Sequence, residues 1–483
     1  MIRLFCALIL LLVFPSFSRS KEDRPNILLI FADDLGWSDL ACYGGDRFFT
    51  PHLDQLASEG IRFTEAYAAA PICSASRAAL LTGNSTARNG FEFVVKEAPG
   101  KQDFRVPLQS PPFTLDLALE STTIPEMLAP KGYATAFFGK WHLNAHHKRY
   151  LGWSPTHGPH GQGFQSAEED FGSHPYSYWK DKALRSFDDA VENGIFPEDG
   201  MTRRAIEFLS QEHDKPFFLM VSHFFVHDPN HTRLRWLHDQ YIDQLPADTR
   251  NREKVAHYGA MVTTLDHHVG QLLAALEDSG HLDSTLVVFT SDNGGHPNYA
   301  GNAPLRGSKW NLYEGGIRVP FLVRWPGVAP EGAVCSEVVW SPDLAPTFAE
   351  IAGASNESAH DGRSLTDLIR NPDSELEERS LYWHFPYYHP EKNYQDRIDA
   401  IGINDGETSK TRPHSAIRKG DWKLLHFYED DRNELYHIQN DLSESRDLAS
   451  AEPEKTEALR TDLLKYLHRV QARFPTPRAS SRK

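Results

Sequence analysis

The chain has 483 residues, 40% of them hydrophobic and 24% charged, with a formal net charge of −16. Such a length carries a core large enough for two domains, and the balance is that of a soluble globular protein. The acidity excludes nucleic acid and an anionic membrane as general partners, while leaving room for a local basic pocket.

The opening segment, MIRLFCALILLLVFPSFSRS, has Arg3 at its head, an apolar run over residues 4–14, then Ser16, Ser18 and Ser20. It reads as a secretory signal peptide over residues 1–20, with a run too short to span a bilayer. No later stretch is apolar enough to span. The mature protein is therefore expected to be periplasmic or secreted, with no membrane span after signal cleavage. Cys6 leaves with the signal, so Cys42, Cys73 and Cys335 remain, an odd number for an oxidising compartment.

PNILLIFADDLGWSD follows, where residues 27–32 form the continuous apolar run of a strand buried on both faces and Asp33 and Asp34 come at once after it. LDQLASEGIRF predicts a helix ending near Gly60. PICSASRAALLTG predicts one that opens near Cys73 and stops at Gly83. YATAFFGKWHL gives a second strand followed by Lys140 and His142, and KPFFLMVSHFFVHDP a third followed by His223 and His227. A long helix comes next, with Val255, Tyr258, Val262, Leu265, Val269, Leu272 and Leu276 at three- and four-residue steps and Gly280 closing it. His267 and His268 on it read as surface or boundary residues. STLVVFTSDNGG ends this series, with Asp292 and Asn293 directly after the strand.

Alternating strands and helices predict an α/β fold with a large mixed, mostly parallel sheet flanked by helices. In such folds the site lies beyond the carboxyl ends of the strands, where all four polar clusters fall. From about Ser380 the pattern changes to LYWHFPYY, HSAIRKGDWKLLHFY and NELYHIQND. These predict a small antiparallel sheet, with a helix from about Pro453 to Arg473 and a disordered tail. The expected division is a catalytic domain over 21–370 and a C-terminal α+β subdomain over 371–483.

Asp33, Asp34, Asp292 and Asn293 offer only oxygen donors, which suit calcium or magnesium rather than zinc. Any one such pair alone reads better as a turn or helix cap, whereas two pairs after buried strands point to a cation. Cys73 at a helix start, with Arg77 on the same face, suits a tetrahedral oxyanion. A buried core thiol or a disulfide to Cys42 or Cys335 remain alternatives. A thiol phosphatase would need Arg at position 79, which is Ala79. Lys140, His142, His227 and Lys309 would add cations and acid–base groups for an anionic substrate. The aromatic segments WHFPYYH and FGSHPYSYW could stack on a sugar face or belong to the core.

NILLIFADDLGWSDLACYG, CSASRAALLTG, GKWHL, SDNGG and LRGSKWNLYEGGIRVPFLVRWPG together resemble the type I sulfatases of the alkaline phosphatase superfamily, over residues 26 to about 327. The C-terminal WHFPYY and SAIRKGDWKLL segments fit the same family. The resemblance implies an alkaline phosphatase-like fold and hydrolysis of sulfate esters, mostly of sulfated carbohydrates. It also implies that Cys73 is oxidised to formylglycine by a maturation enzyme, and that the aldehyde hydrate is the nucleophile. Ala75 stands where most members have Pro. One Ca2+ would be held by Asp33, Asp34, Asp292, Asn293 and a hydroxyl of the modified Cys73. Lys309 and His227 would bind sulfate oxygens and help the alcohol leave. Arg77 would steady the modified side chain and the carboxylates. Lys140 and His142 would position the second hydroxyl, with His142 as base. A formylglycine-dependent phosphonate or phosphodiester hydrolase of the same superfamily, and a non-catalytic glycan-binding relic, are the alternatives.

Overall fold

The computed structural model describes residues 24–102, 106–354, 360–389 and 411–478. The signal-peptide expectation lies outside them. Eight strands form the principal sheet: β1 (Asn26–Ala32), β2 (Ile61–Phe63), β3 (Ala134–Gly139), β4 (Ser166–Glu168), β5 (Phe217–Ser222), β6 (Thr285–Ser291), β7 (Phe321–Arg324) and β8 (Ala333–Cys335). Across the sheet they run β8-β2-β7-β6-β1-β5-β3-β4. All pairs are parallel except those of β7, which runs against both neighbours.

The central strands are the apolar runs of the sequence, and every residue of β1, β5 and β6 is buried. Leu28 and Ile30 enter one core, while Ile27, Leu29 and Phe31 enter the other, as the two-residue period of a strand requires. The principal helices are α1 (Pro51–Ser58), α2 (Cys73–Thr82), α3 (Gly200–Leu209), α4 (Arg252–Asp278), α5 (Leu344–Ile351) and α6 (Pro453–Arg469). The first core contains residues of α1, α3 and α4, and the second residues of α2 and α5.

Register decides where the site forms. Ala32 pairs with Ser291, Phe31 with Ser222, and Gly139 with Ser222. Four strands therefore end at one level, and the polar residues that follow them emerge side by side.

A separate antiparallel sheet holds β9 (Ser380–Phe385), β10 (His414–Lys419), β11 (Trp422–Phe427) and β12 (Arg432–His437), paired in chain order. One of its faces packs under α6 through Ile417, Leu424 and Leu435 against Leu459, Leu463 and Leu467. The other face shares a core with Tyr67, Trp310 and Trp340 of the larger unit.

Several expectations need correction. Helix α6 stops at Arg469, short of Arg473, because Gln471 turns into the left-handed region at φ +57°; beyond it the Arg473 guanidinium binds Glu92. The expected disordered tail contains Thr476–Pro477, paired antiparallel with Leu108–Gln109; residues 479–483 lie outside the described residues. His268 is fully buried and its ring stacks 6.2 Å from that of His223. Trp383, Phe385 and Tyr387 of WHFPYYH are core residues. Cys42, Cys73 and Cys335 are all free thiols, so no disulfide claims Cys73.

Candidate active site

The site begins with chain geometry at the strand ends. Asp34, directly after β1, adopts φ +63°, and its amide donates to Asp292 Oδ1 at 3.0 Å, which ties the two strand ends together. The left-handed region is costly for a residue with a Cβ and is tolerated where a short polar side chain is held by its surroundings. Helix α2 opens at Cys73, after Ile72 in extended conformation, and ends at Gly83 with φ +68°. The thiol Sγ lies 3.9 Å from Asp34 Oδ1. A long loop between β6 and β7 delivers Lys309, whose amide donates to Gly295 O at 3.1 Å.

Three carboxylates and three cations interlock there. Lys309 Nζ donates to Asp34 Oδ2 at 2.6 Å, and Lys140 Nζ to Asp33 Oδ2 at 2.5 Å. Arg77 Nη2 donates to Asp292 Oδ2 at 2.8 Å and sits 3.7 Å from Asp33 Oδ1. Its other arm donates to Lys140 O at 2.8 Å and to Ser222 Oγ. Asn293 Nδ2 donates to Asp34 Oδ1 at 2.8 Å. All seven of these side chains are buried. His227 Nε2 stands 3.7 Å from Asp34 Oδ2, while its Nδ1 contacts Asp228 O at 2.5 Å and the Tyr176 hydroxyl at 2.9 Å. His142 lies in the same cleft at φ +56°, with both ring nitrogens buried and unpartnered.

Electrostatics sort these groups. Burial opposes ionisation of Asp33, but Lys140, His227 and Arg77 outweigh it and hold the carboxyl well below the usual range. Burial opposes ionisation of Asp34 too, and Lys309 leads the groups that keep it low. Asp292 goes the other way: burial, and then the Asp33 charge, push it up to about 8. Burial likewise drives the Cys73 thiol far up, which makes an unmodified thiol a poor nucleophile. Burial, followed by Lys140 and His146, holds His142 well below an ordinary imidazole, so it is a neutral base with one free ring lone pair. His227 is lowered to about 3 by burial, Lys140 and Lys309. Lys309 stays charged because Asp34 offsets its burial.

The donor set fits a hard divalent cation. Asp33 Oδ1 and Asn293 Oδ1 are buried without hydrogen-bond partners. Asp33, Asp34, Cys73 and His227 each present a ligand atom within 4.8 Å of the others. Asp292 joins this group through Arg77 and the Asp34 amide. Buried oxygens left without a donor are what a calcium-type ion satisfies, at the ligand-rich end of a carboxylate cluster.

Five of the ten residues expected from the sequence, Asp34, Cys73, His142, His227 and Lys309, line one cleft of about 910 Å³, and Asp33, Arg77, Lys140, Asp292 and Asn293 lie directly behind it, joined to them by the hydrogen bonds and ion pairs above. Sequence reasoning missed the cleft wall: Lys96, Glu97, His146, Tyr150, Lys254 and His296. These residues come from loops and from the first turn of α4, and no strand end announces them. His223, expected among the strand-end groups, faces away from the cleft toward Asp199 and His268.

The family model for sulfatases matches residues 25–354, and a second, described as N-sulphoglucosamine sulphohydrolase, C-terminal, matches residues 308–473. A sulfatase of Formosa agariphila is 31% identical over 497 residues, covering 90% of this chain and 87% of that protein. Human arylsulfatase A is 35% identical over 380 residues, covering 71% of this chain and 68% of its own. Among solved structures, Ps i-CgsB in complex with k-i-k-neocarrahexaose superposes with a TM-score of 0.70 at 28% identity, over 92% of this chain and 93% of that one.

Proposed function

The chain belongs to the sulfatase family and is a sulfuric ester hydrolase, and on that premise we propose that it releases inorganic sulfate from sulfated carbohydrates. The nucleophile in this reading is a formylglycine hydrate made from Cys73 by a maturation enzyme, acting with one bound calcium. The observation that carries it is the convergence of Asp33, Asp34, Asp292 and Asn293 with Lys140, Lys309 and Arg77 around an inert Cys73 thiol at a helix start. The carbohydrate class draws support from the carrageenan-type oligosaccharide in the similar structure. The N-terminal segment supports a periplasmic or secreted location, and among the described residues no helix is long and apolar enough to cross a membrane.

Calcium, held by Asp33, Asp34, Asp292 and Asn293, would supply Lewis acidity that stabilises negative charge on the attacking oxygen. The chain's own residues do the rest. Arg77 fixes the relative positions of Asp33 and Asp292 and, through Lys140 O and Ser222 Oγ, of the β3 and β5 ends. Lys309, a charged donor lining the cleft, would bind a sulfate oxygen there and assist the departing oxygen. The His227 Nδ1 contact with Asp228 O leaves Nε2 toward the site as an acceptor when the ring is neutral. In this reading a neutral His227 can only accept at Nε2, and it binds a sulfate oxygen or acts as an acid only after an anionic substrate has raised its pKa. His142, neutral and unpartnered, takes the proton that must leave the nucleophile's second hydroxyl.

The test is twofold. Peptide mass spectrometry of active enzyme should find formylglycine at position 73, and ion chromatography should find sulfate released from a panel of sulfated glycans. Full activity with a thiol at Cys73, or faster turnover of aryl phosphate than of aryl sulfate, would overturn the reading.

A further inference from the structure

We propose that Lys96, with His146 beside it, forms a second anion subsite on the wall of the active-site cleft, so that the preferred substrate carries another sulfate or carboxylate besides the sulfate removed. This rests on the reading of the site given above and narrows its substrate class.

Lys96 lines the same cleft as Lys309, His142 and Cys73. It is half-buried, and among the described residues it has neither a hydrogen bond nor an ion pair to a carboxylate. Its contacts are aromatic: Nζ lies 5.3 Å from the Phe93 ring centre and 5.8 Å from that of Phe113, which stack on each other at 5.3 Å. This platform restricts the side chain without neutralising it. Burial alone accounts for the lowering of its pKa, and no carboxylate counters it. Glu97 is exposed, and its effect falls on His146.

His146 is close enough for Lys96 to depress it, and both its ring nitrogens are buried and unpartnered. Its ring stacks 5.9 Å from His142 and lies 4.8 Å, edge-on, from Tyr150. Among the described residues, a cation without a counter-ion and a ring with an unused N–H therefore share one wall of an otherwise strongly acidic protein. Burying an ammonium without compensation is unfavourable, and an anionic substrate group would supply what the fold does not. Charge-assisted hydrogen bonds are the strong ones, so an anion here should gain on the order of tenfold or more in affinity.

The experiment compares wild-type holoenzyme with Lys96→Gln and Lys96→Arg on three esters: an aryl sulfate with no second anion, a disulfated sugar and a sulfated uronate. The ratio of kcat/KM for a dianionic sugar over the aryl sulfate should fall about tenfold in Lys96→Gln, mostly through KM, and should recover in Lys96→Arg. The disulfated and uronate arms tell a sulfate-reading subsite from a carboxylate-reading one. An unchanged ratio, even with a lowered Tm, would assign Lys96 to aromatic packing alone and overturn the proposal. Calorimetric titration of the same sugars into Cys73→Ala protein, with and without Lys96→Gln, reads the subsite without turnover. If no ester is hydrolysed yet the dianionic sugar still loses affinity on substitution, the reaction assignment fails and the subsite stands. Equal affinity there removes the subsite.

Discussion

Two clusters of buried carboxylates meet basic side chains in this molecule, and they resolve their charge in opposite ways. At the strand ends, Asp34 borders an open cleft with Asp33 and Asp292 directly behind it, Asp33 Oδ1 and Asn293 Oδ1 have no hydrogen-bond partner, and the Asp292 carboxyl is pushed up to about 8. Behind the loop that carries Lys309, Glu314 and Glu444 are sealed from solvent around Lys423, each with an oxygen 2.9 Å from its Nζ. Arg318 adds a contact to Glu314 at 3.1 Å, and the Tyr67 hydroxyl donates to it at 2.7 Å. The sealed cluster is nearly complete and holds two units together: the Glu314 amide donates to Glu444, Tyr313 donates to Glu434 of β12, and the Leu312 amide donates to His414 of β10. The open cluster is incomplete in the direction from which ions and substrate arrive. All five carboxylates are fully buried, so contact with a cleft through Asp34, more than burial or residue type, separates the two clusters.

The largest effect should come from the open cluster. Cys73→Ala should lower kcat on the order of 10⁴-fold or more, as loss of a nucleophile does, with little change in thermal melting because Ala fits a buried helix start. Asp292→Ala should also cost orders of magnitude in turnover, since it removes a proposed calcium ligand and the partner of Arg77. Chelation should abolish activity, and calcium should restore it better than zinc. Unchanged turnover after thorough metal removal would break the contrast between the clusters.

The sealed cluster should respond in stability first. Lys423→Met leaves two buried carboxylates without their shared cation, which costs about 3–5 kcal/mol in such settings. Denaturant melts should show this loss, and kcat should fall with it because the Lys309 loop loses its anchor. Turnover reduced with unaltered stability would mean that Lys423 acts on the site by another route.

This contrast also marks what the sequence could convey. Asp33, Asp34, Lys140, His142, Asp292 and Asn293 follow apolar runs directly, so chain order alone assigns them to one rim of the sheet. The Lys423–Glu314 pair joins positions 109 residues apart, one on a strand of the small sheet and one at the start of the short helix Glu314–Ile317, and no local pattern reports such a contact. Lys96 and His146 were missed for a similar reason: their loops owe their position to the Phe93–Phe113–Tyr387 stack and to the Asn144 side chain, which donates to Gly152 O. His268 was misread because the helical period marks apolar faces only. Asp199, which caps α3 and lies within electrostatic reach of His268, is invisible to it.

Smaller and more selective effects should separate roles inside the open cluster. If Lys309 and His227 assist the departing oxygen as proposed, Lys309→Ala and His227→Ala should hurt esters of poor alcohol leaving groups far more than activated aryl sulfates. His142→Ala should instead give a rapid first release of alcohol followed by slow turnover. Rates across a series of leaving-group pKa values test this, and equal losses on every ester with no burst would show the roles to be wrongly divided.

The smallest expected effect is a pH signature of the sealed cluster. Burial opposes ionisation of Glu314, but Lys423 and Arg318 bring it down to about 2 from 4.5. Burial raises Glu444 to about 7, with Lys423 opposing and the Glu314 charge adding to the rise. Below pH 4.5 the unfolded chain protonates at position 314 while the native one does not, so stability from Glu314 is lost as pH falls toward 2. Between 4.5 and 7 the native protein keeps a proton at Glu444 that the unfolded chain has released, so stability from Glu444 is lost as pH rises through that window. Glu444→Gln keeps the shape and removes the second titration. The difference in Tm between wild type and this variant, both calcium-loaded, should therefore change by a few degrees at most between pH 4.5 and 7, with the wild type losing ground as pH rises. Because Asp292 is present in both proteins, its own titration cancels in that difference. A difference flat across the window would mean that Lys423 is shared evenly enough to keep both glutamates charged, and the sealed cluster would then be a fully ionised triad.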